Sequence, residues 1–171
     1  IDDMSIAYTG GGTPISHSGN KSVVIYTAAN ADAAKYSSHA NNLEHLQGVA
    51  QRLSLDDSKK YKLQFFYYRP NLVWGTTDVA ANINHAEKIV VGIVSSTEAN
   101  VNTDYTYEEV ITLEKTEGWK EYNITFDLPD IIQKNPGKSF EKCAIFFNIV
   151  PEIDSAQKTL KTLVNLDDIS L

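Results

Sequence analysis

Cysteine is almost absent. The 171 residues hold one, Cys143, which excludes an intramolecular disulfide and a cysteine-based zinc site. It stands in an apolar run, Cys143-Ala144-Ile145-Phe146-Phe147, where a buried hydrophobe is expected rather than a nucleophile. Positive charge is also scarce. Fifteen Lys and Arg against 22 Asp and Glu leave a net charge of −7, a balance that argues against nucleic acid and anionic membrane surfaces as partners. No apolar run approaches the roughly 18 residues of a membrane helix. No signal-peptide pattern opens the chain. Its first residues read as mid-domain sequence, so the native N-terminus is expected elsewhere. Hydrophobic residues make up 42%, too many for a disordered chain, and this length makes one domain with its own core the default.

Catalytic patterns are missing as well. The four histidines, His17, His39, His45 and His85, have no metal-ligand spacing. There is no G-x-S-x-G elbow and no glycine loop ahead of a helix. Carboxylate pairs do occur, at Asp2-Asp3, Asp56-Asp57, Glu108-Glu109 and Asp167-Asp168. Glycoside hydrolysis needs two carboxylates across a bond. Neighbours on a strand point to opposite faces, so none of these pairs flanks a bond by itself. Asp56-Asp57-Ser58 is expected to be a hairpin turn. The expected class is non-enzymatic.

What the chain does have is repetition and alternation. Leu166-Asp167-Asp168-Ile169-Ser170-Leu171 closes it, and Ile1-Asp2-Asp3-Met4-Ser5-Ile6 opens it. Both alternate in the period of a half-buried strand. Adjacent Asp residues are poor strand formers, so each pair implies a cation, a set of backbone donors, or descent from a repeated module. Repetition is favoured, with residues 1–8 a remnant of a preceding repeat or a substitute first strand. Strands are expected over Ser22–Ala28, Leu46–Leu55, Lys60–Arg69, Lys88–Ser95, Thr106–Leu113, Trp119–Leu128, Lys142–Val150 and Leu163–Leu171, separated by turn-rich segments. Helical candidates are Ala28–Tyr36 and a short turn at Asp130–Lys134. Segments 29–45 and 71–87 read as long loops. Eight strands without crossover helices predict an all-β fold, an antiparallel sandwich, with residues 1–171 as a single domain.

Five blocks in order then carry a family resemblance. They are Ser18-Gly19-Asn20-Lys21-Ser22-Val23, Leu46–Leu53, Tyr61–Arg69, Gly118-Trp119-Lys120-Glu121-Tyr122 through Pro129, and Leu166–Leu171. Together they resemble the carbohydrate-binding modules of families 4, 9 and 22. The resemblance implies a jelly roll of the galactose-binding-like type. It implies a module that binds plant polysaccharide, xylan or a related β-1,4-glycan, without cleaving it. It further implies an attached glycoside hydrolase, a secreted or cell-surface setting, and tandem copies. A structural Ca²⁺ is implied at Asp167, with backbone carbonyls near Gly19–Ser22 completing an oxygen shell. The family's opening N-G-x-F-E strand, whose Glu is normally a ligand, is absent. A protein–protein or structural sandwich module of a cell-surface protein is the rival class.

Sugar binding needs flat aromatic faces and planar hydrogen-bonding side chains. Trp74, in the polar stretch Asn71–Asp78, is either a stacking ring or a loop anchor. In strand 60–69, Gln64, Phe66 and Tyr68 share the face opposite Tyr61, Leu63, Phe65 and Tyr67. That row suits either a sugar platform or cover by the 71–87 loop. Arg69 offers a donor fork at the strand end, or a solvated end. Tyr107 and Glu109 match the family strand that places an aromatic in the groove, with Tyr105 as backup; a one-residue bulge would exchange the faces. Glu152 matches a groove Glu or a solvated rim. Trp119, whose family counterpart packs inside, is expected in the core. The sequon Asn123-Ile124-Thr125 falls mid-strand and is read as chance.

Overall fold

The fold was described from a computed structural model, over residues 16–19, 22–27, 48–69, 83–95, 107–150, 155–156 and 161–171. The chain runs β1 (Val23–Thr27), β2 (Gly48–Leu53), β3 (Lys60–Tyr68), β4 (Ile83–His85), β5 (Lys88–Ser95), β6 (Tyr107–Thr112), β7 (Lys120–Asp127), α1 (Leu128–Lys134), β8 (Cys143–Val150) and β9 (Lys161–Ser170). The opening hexapeptide, Ala28–Tyr36, Trp74, Tyr105 and Glu152 lie outside the described residues.

Alternation builds the first sheet. In β3 the residues Leu63, Phe65 and Tyr67 are buried, while Gln64, Phe66 and Tyr68 are half-buried on the other face. Period two is what lets one strand serve a core and an outer surface. β3 pairs with β7 and β9, β9 pairs with β1, and the order is β1-β9-β3-β7. The second sheet runs β2-β8-β5-β6. Its central strands read differently: in β8, Cys143 through Ile149 are all buried, as are Ile89 through Ser95 in β5. Continuous apolar runs mark strands buried on both faces. Most consecutive strands cross between the sheets, as in a jelly roll; the exceptions are β3 to β4 within the first sheet and β5 to β6 within the second.

Between the sheets sit Phe65, Tyr67, Phe126, Phe140, Ile89, Ile93 and Ile149, all essentially inaccessible. Phe65 meets Phe147 of the opposite sheet edge-on, with centroids 5.1 Å apart at 84°. Burying each such side chain contributes about 1.5–3 kcal/mol, and an edge-to-face pair adds roughly 0.5–1.5 kcal/mol. Cys143 belongs to this core. Burial pushes its thiol up to about 11, so it is the packing residue expected of it and no nucleophile. The short helix α1 carries Asp127 as N-cap and Pro129 in its first turn, and buries Leu128 and Ile131. An acidic cap and an early Pro are the standard start of a helix. The turn expected at Asp130–Lys134 is therefore its second half.

Three sequence expectations change. β4 lies inside the segment read as a loop, and it pairs with β9 in parallel, Ile83 to Lys161 and His85 to Leu163. The sheets are thus antiparallel except at this one pairing among the described residues. Asp56-Asp57-Ser58 is a turn, with Lys59 N–H donating to the Asp56 carbonyl at 3.0 Å, but it is not a hairpin, because β2 and β3 belong to different sheets. Asp57 instead accepts the Phe140 N–H at 2.7 Å. Trp119 is not in the core. Tyr122, Ile124 and Phe126 of β7 face inward against Phe65, Leu63 and Tyr61. Trp119, three residues before Tyr122, has the opposite parity and is half-buried on the outer side, with its ring 5.7 Å from Tyr68. The closing strand expected at Leu163–Leu171 is present as β9 and carries an irregularity. Asp168 has φ 46, and the β3–β9 register shifts between Gln64 and Phe66. Positive φ is uncommon outside glycine, though Asp tolerates it better than most.

Candidate functional site

The outer face of the β1-β9-β3-β7 sheet gathers aromatic side chains. Phe66 and Tyr68 project from β3, and Trp119 stands beside Tyr68 just ahead of β7, with ring planes at 35°. His17 lies flat on Phe66, with centroids 3.7 Å apart and planes at 13°. It presents an edge to Trp119 at 6.2 Å and 68°. All four are half-buried or exposed. Polar groups extend the row. Gln64 lies opposite Asn123 and Phe66 opposite Glu121 in the β3–β7 register, and the Asn123 amide donates to Glu121 at 2.7 Å. At the far end Tyr68 meets His85 edge-on at 6.3 Å. His85 is 7% exposed, and neither ring nitrogen has a partner among the described residues. Burial, reinforced by the Arg69 charge, lowers its pKa to about 4, so this ring is neutral at physiological pH.

Asp167 and Asp168 close one side of the row. Asp167 Oδ2 accepts the backbone N–H groups of His17 at 2.7 Å and Ser18 at 3.3 Å, and its Oδ1 accepts the N–H of Asp168 at 2.8 Å. Asp168 takes His17 Nδ1 at 2.6 Å and the Ser18 hydroxyl at 2.5 Å. The Ser18 hydroxyl and then the His17 ring hold the Asp168 carboxyl below its ordinary range. Of the three reasons for adjacent Asp residues, this structure displays backbone donors. Among the described residues no group of three or more His, Cys, Asp or Glu could hold a metal ion, and residues 20 and 21, part of the carbonyl shell expected around Asp167, lie outside the described residues. Nor is this a catalytic triad. Ser18 donates to the carboxylate, not to the imidazole, so nothing activates its oxygen.

The remaining sequence candidates fall elsewhere. Arg69 is only 11% exposed. It donates from Nη1 to the Leu113 carbonyl at 2.7 Å and pairs with Glu87 at 3.3 Å, so it ties the end of β3 to the second sheet. Tyr107 shares the inward parity of Ile111 on β6, meets Phe126 edge-on at 5.9 Å, and donates to Glu109 at 3.3 Å. Burial, then the Glu109 charge, raises its pKa. The structure thus joins Gln64, Phe66 and Tyr68 on one face and sets Tyr107 with Glu109 at the β6 edge of the sandwich, apart from them. On the outer side of β6 stands Glu108, whose Oε2 is buried without a partner among the described residues and whose pKa is raised by desolvation. Beside it the Phe146 ring lies over Gly92: a Cβ there would meet Phe146 Cζ at 2.4 Å and the Tyr107 carbonyl oxygen at 2.6 Å.

Sequence reasoning missed Trp119 and His17. For Trp119 the signal was present, because position 119 is out of phase with the inward residues 122, 124 and 126. For His17 there was none, since its partners are 150 and 151 positions away.

No protein-family model and no curated protein matches the chain. Among solved structures it is similar to a CBM4 structure, at 16% identity and TM-score 0.47 over 76% of this chain. It is also similar to a carbohydrate-binding module, CBM28, specific for non-crystalline cellulose, at 14% identity and TM-score 0.48 over 91% of this chain and 78% of that one. A third likeness, at 16% identity and TM-score 0.42 over 90% of this chain and 74% of that one, is to the K3 cleaved adhesin domain of Lys-gingipain from Porphyromonas gingivalis w83. The chain spans 62% of the length of the CBM4 structure.

Proposed function

We propose that this chain is a non-catalytic carbohydrate-binding module that takes a β-1,4-linked plant polysaccharide, xylan or a related glucan, on the outer face of the β1-β9-β3-β7 sheet. The observation that carries this is the half-exposed row of Phe66, Tyr68 and Trp119 with amide and carboxylate groups beside it. Pyranose rings present apolar C–H faces that pack on aromatic rings, and their hydroxyls need planar polar partners such as Gln64, Asn123 and Glu121. Among the described residues of this face, the Glu121 carboxylate accepts from the Asn123 amide and Asp167 from backbone N–H groups, which supports a binding role over an acid–base one. Single-site affinity is weak in this reading, since sugar hydroxyls exchange one set of hydrogen bonds for another. An attached glycoside hydrolase, tandem copies and a secreted or cell-surface setting would give such weak binding its use through effective concentration.

Affinity electrophoresis against xylan, β-glucan and a non-plant control tests it. Retardation by xylan or β-glucan is expected, with Trp119→Ala and Tyr68→Ala each weakening binding by about 1–3 kcal/mol in proteins that still unfold cooperatively. Reducing sugar released by the pure chain would contradict the non-enzyme part. Native retardation by no polysaccharide would favour the rival, a protein-binding face on the same rings.

A further inference from the structure

We propose that His17 is a specificity-determining contact of this platform, set there by the Asp167–Asp168 corner; the inference rests on reading the face as a glycan site. Three observations converge on it. The imidazole does not cap the row from a distance but lies on it, 3.7 Å above Phe66 and nearly parallel, so it forms a raised step beside Trp119. Its position is fixed by hydrogen bonds that run from both backbone and ring to two adjacent carboxylates, and Ser18 adds two more to the same pair. Even so, its side chain remains 34% exposed, and Nε2 has no partner among the described residues.

The chemistry follows from the partner. A carboxylate only accepts, so Nδ1 carries the proton toward Asp168. In the neutral ring Nε2 is then left as a lone-pair acceptor at the edge of the aromatic row. A pyranose stacked on Trp119 and Tyr68 presents equatorial hydroxyls around its rim, and these are donors at the height of a raised step. A ring already locked by hydrogen bonds gives up little rotamer entropy when it accepts one of them. The adjacent carboxylates thus have a use beyond tying down the strand: they aim an acceptor. Asp168 is a positioning residue in this scheme and does not touch the ligand.

The experiment uses cellohexaose and xylohexaose as probes, with calorimetric affinities and the ¹H–¹³C ring resonances of His17 followed in the native chain. His17→Phe preserves the stack on Phe66 and removes the acceptor, whereas His17→Ala removes both. The expected result is an affinity about threefold lower for His17→Phe and about tenfold lower for His17→Ala. The expected ring resonance moves on titration, and the preference between the two probes changes in His17→Phe. If both His17 variants bind as the native chain does while Trp119→Ala loses binding, or if the ring resonance stays still at saturation, the inference is overturned and the platform stands. If native chain and Trp119→Ala bind alike, or the native chain binds neither probe, the platform itself falls and the inference with it. Should His17→Ala fail to fold, His17→Phe and the native titration decide.

Discussion

The two outer faces of the sandwich use aromatic rings in opposite ways. On the β1-β9-β3-β7 sheet, Phe66, Tyr68, Trp119 and His17 pack against one another and leave part of each ring in water. On the β2-β8-β5-β6 sheet, Phe146 is laid over the backbone at Gly92, with 4% of its surface exposed. Asn148 is held likewise over Gly48, whose Cβ would stand 1.9 Å from Asn148 Oδ1 and 2.2 Å from the Phe147 carbonyl oxygen. Rings of the first kind can meet a ligand face. A ring of the second kind is spent on packing, and the glycine beneath it is the condition for that. The number of aromatics on a face says less than the residue opposite each one: Trp119 opposite Tyr68, but Gly92 opposite Phe146.

Breaking the second face should cost most. Gly92→Ala places a methyl group against both a ring and a backbone oxygen, and only the ring can move. A loss of about 3 kcal/mol in urea unfolding is expected. A loss below 1 kcal/mol would mean that the strands there have more room than described, and the contrast between the faces would weaken.

The next effect belongs to the far end of the first face. His85 is held neutral, with a pKa of about 4 against an ordinary 6.5. A lowered histidine pKa means that the unfolded chain binds the proton first. Its contribution is complete above pH 6.5 and is lost progressively as pH falls toward 4, by about 3 kcal/mol in all. Unfolding free energies measured from pH 7.5 to 4 should show this slope, and His85→Phe should flatten it. An unchanged slope would place the acid sensitivity in other groups.

The smallest effect sharpens the comparison from its rim. Val110, 46% exposed on β6, borders Glu108 on the second face. Val110→Thr should change stability by less than about 0.5 kcal/mol and leave retardation by xylan as it was. Lost retardation at unchanged stability would move the sugar site to this face.

Much of the architecture was legible because period two is a strong signal. The alternation in Tyr61–Tyr68 sorts core from surface correctly, and the apolar runs at Lys88–Ser95 and Cys143–Val150 announce strands buried on both sides. β4 was not legible: three residues within a long polar segment carry no period, and their parallel partner lies far along the chain. Trp119 was legible and misjudged, because the identity of a large apolar side chain was weighed above its phase. Tyr107 and Glu109 were expected on the family strand that places an aromatic in the groove, and the register Ile93 to Tyr107 gives them the parity of inward-facing Ile111 at the β6 edge. Which strands become neighbours is decided by packing across the whole sandwich, and local spacing does not encode it. The Asp167–His17 bonds show the same limit at its extreme.

The lone thiol turns the interior into a clock. Cys143 closes the β2–β8 ladder opposite Leu53, lies 3.5 Å from that residue's carbonyl oxygen, and is nearly inaccessible. A thiol pushed up to about 11 and shielded in this way reacts only when the edge strand lifts away. The alkylation rate of one atom therefore counts the openings of that edge, and a sugar seated on the opposite sheet would register there only by slowing the whole sandwich.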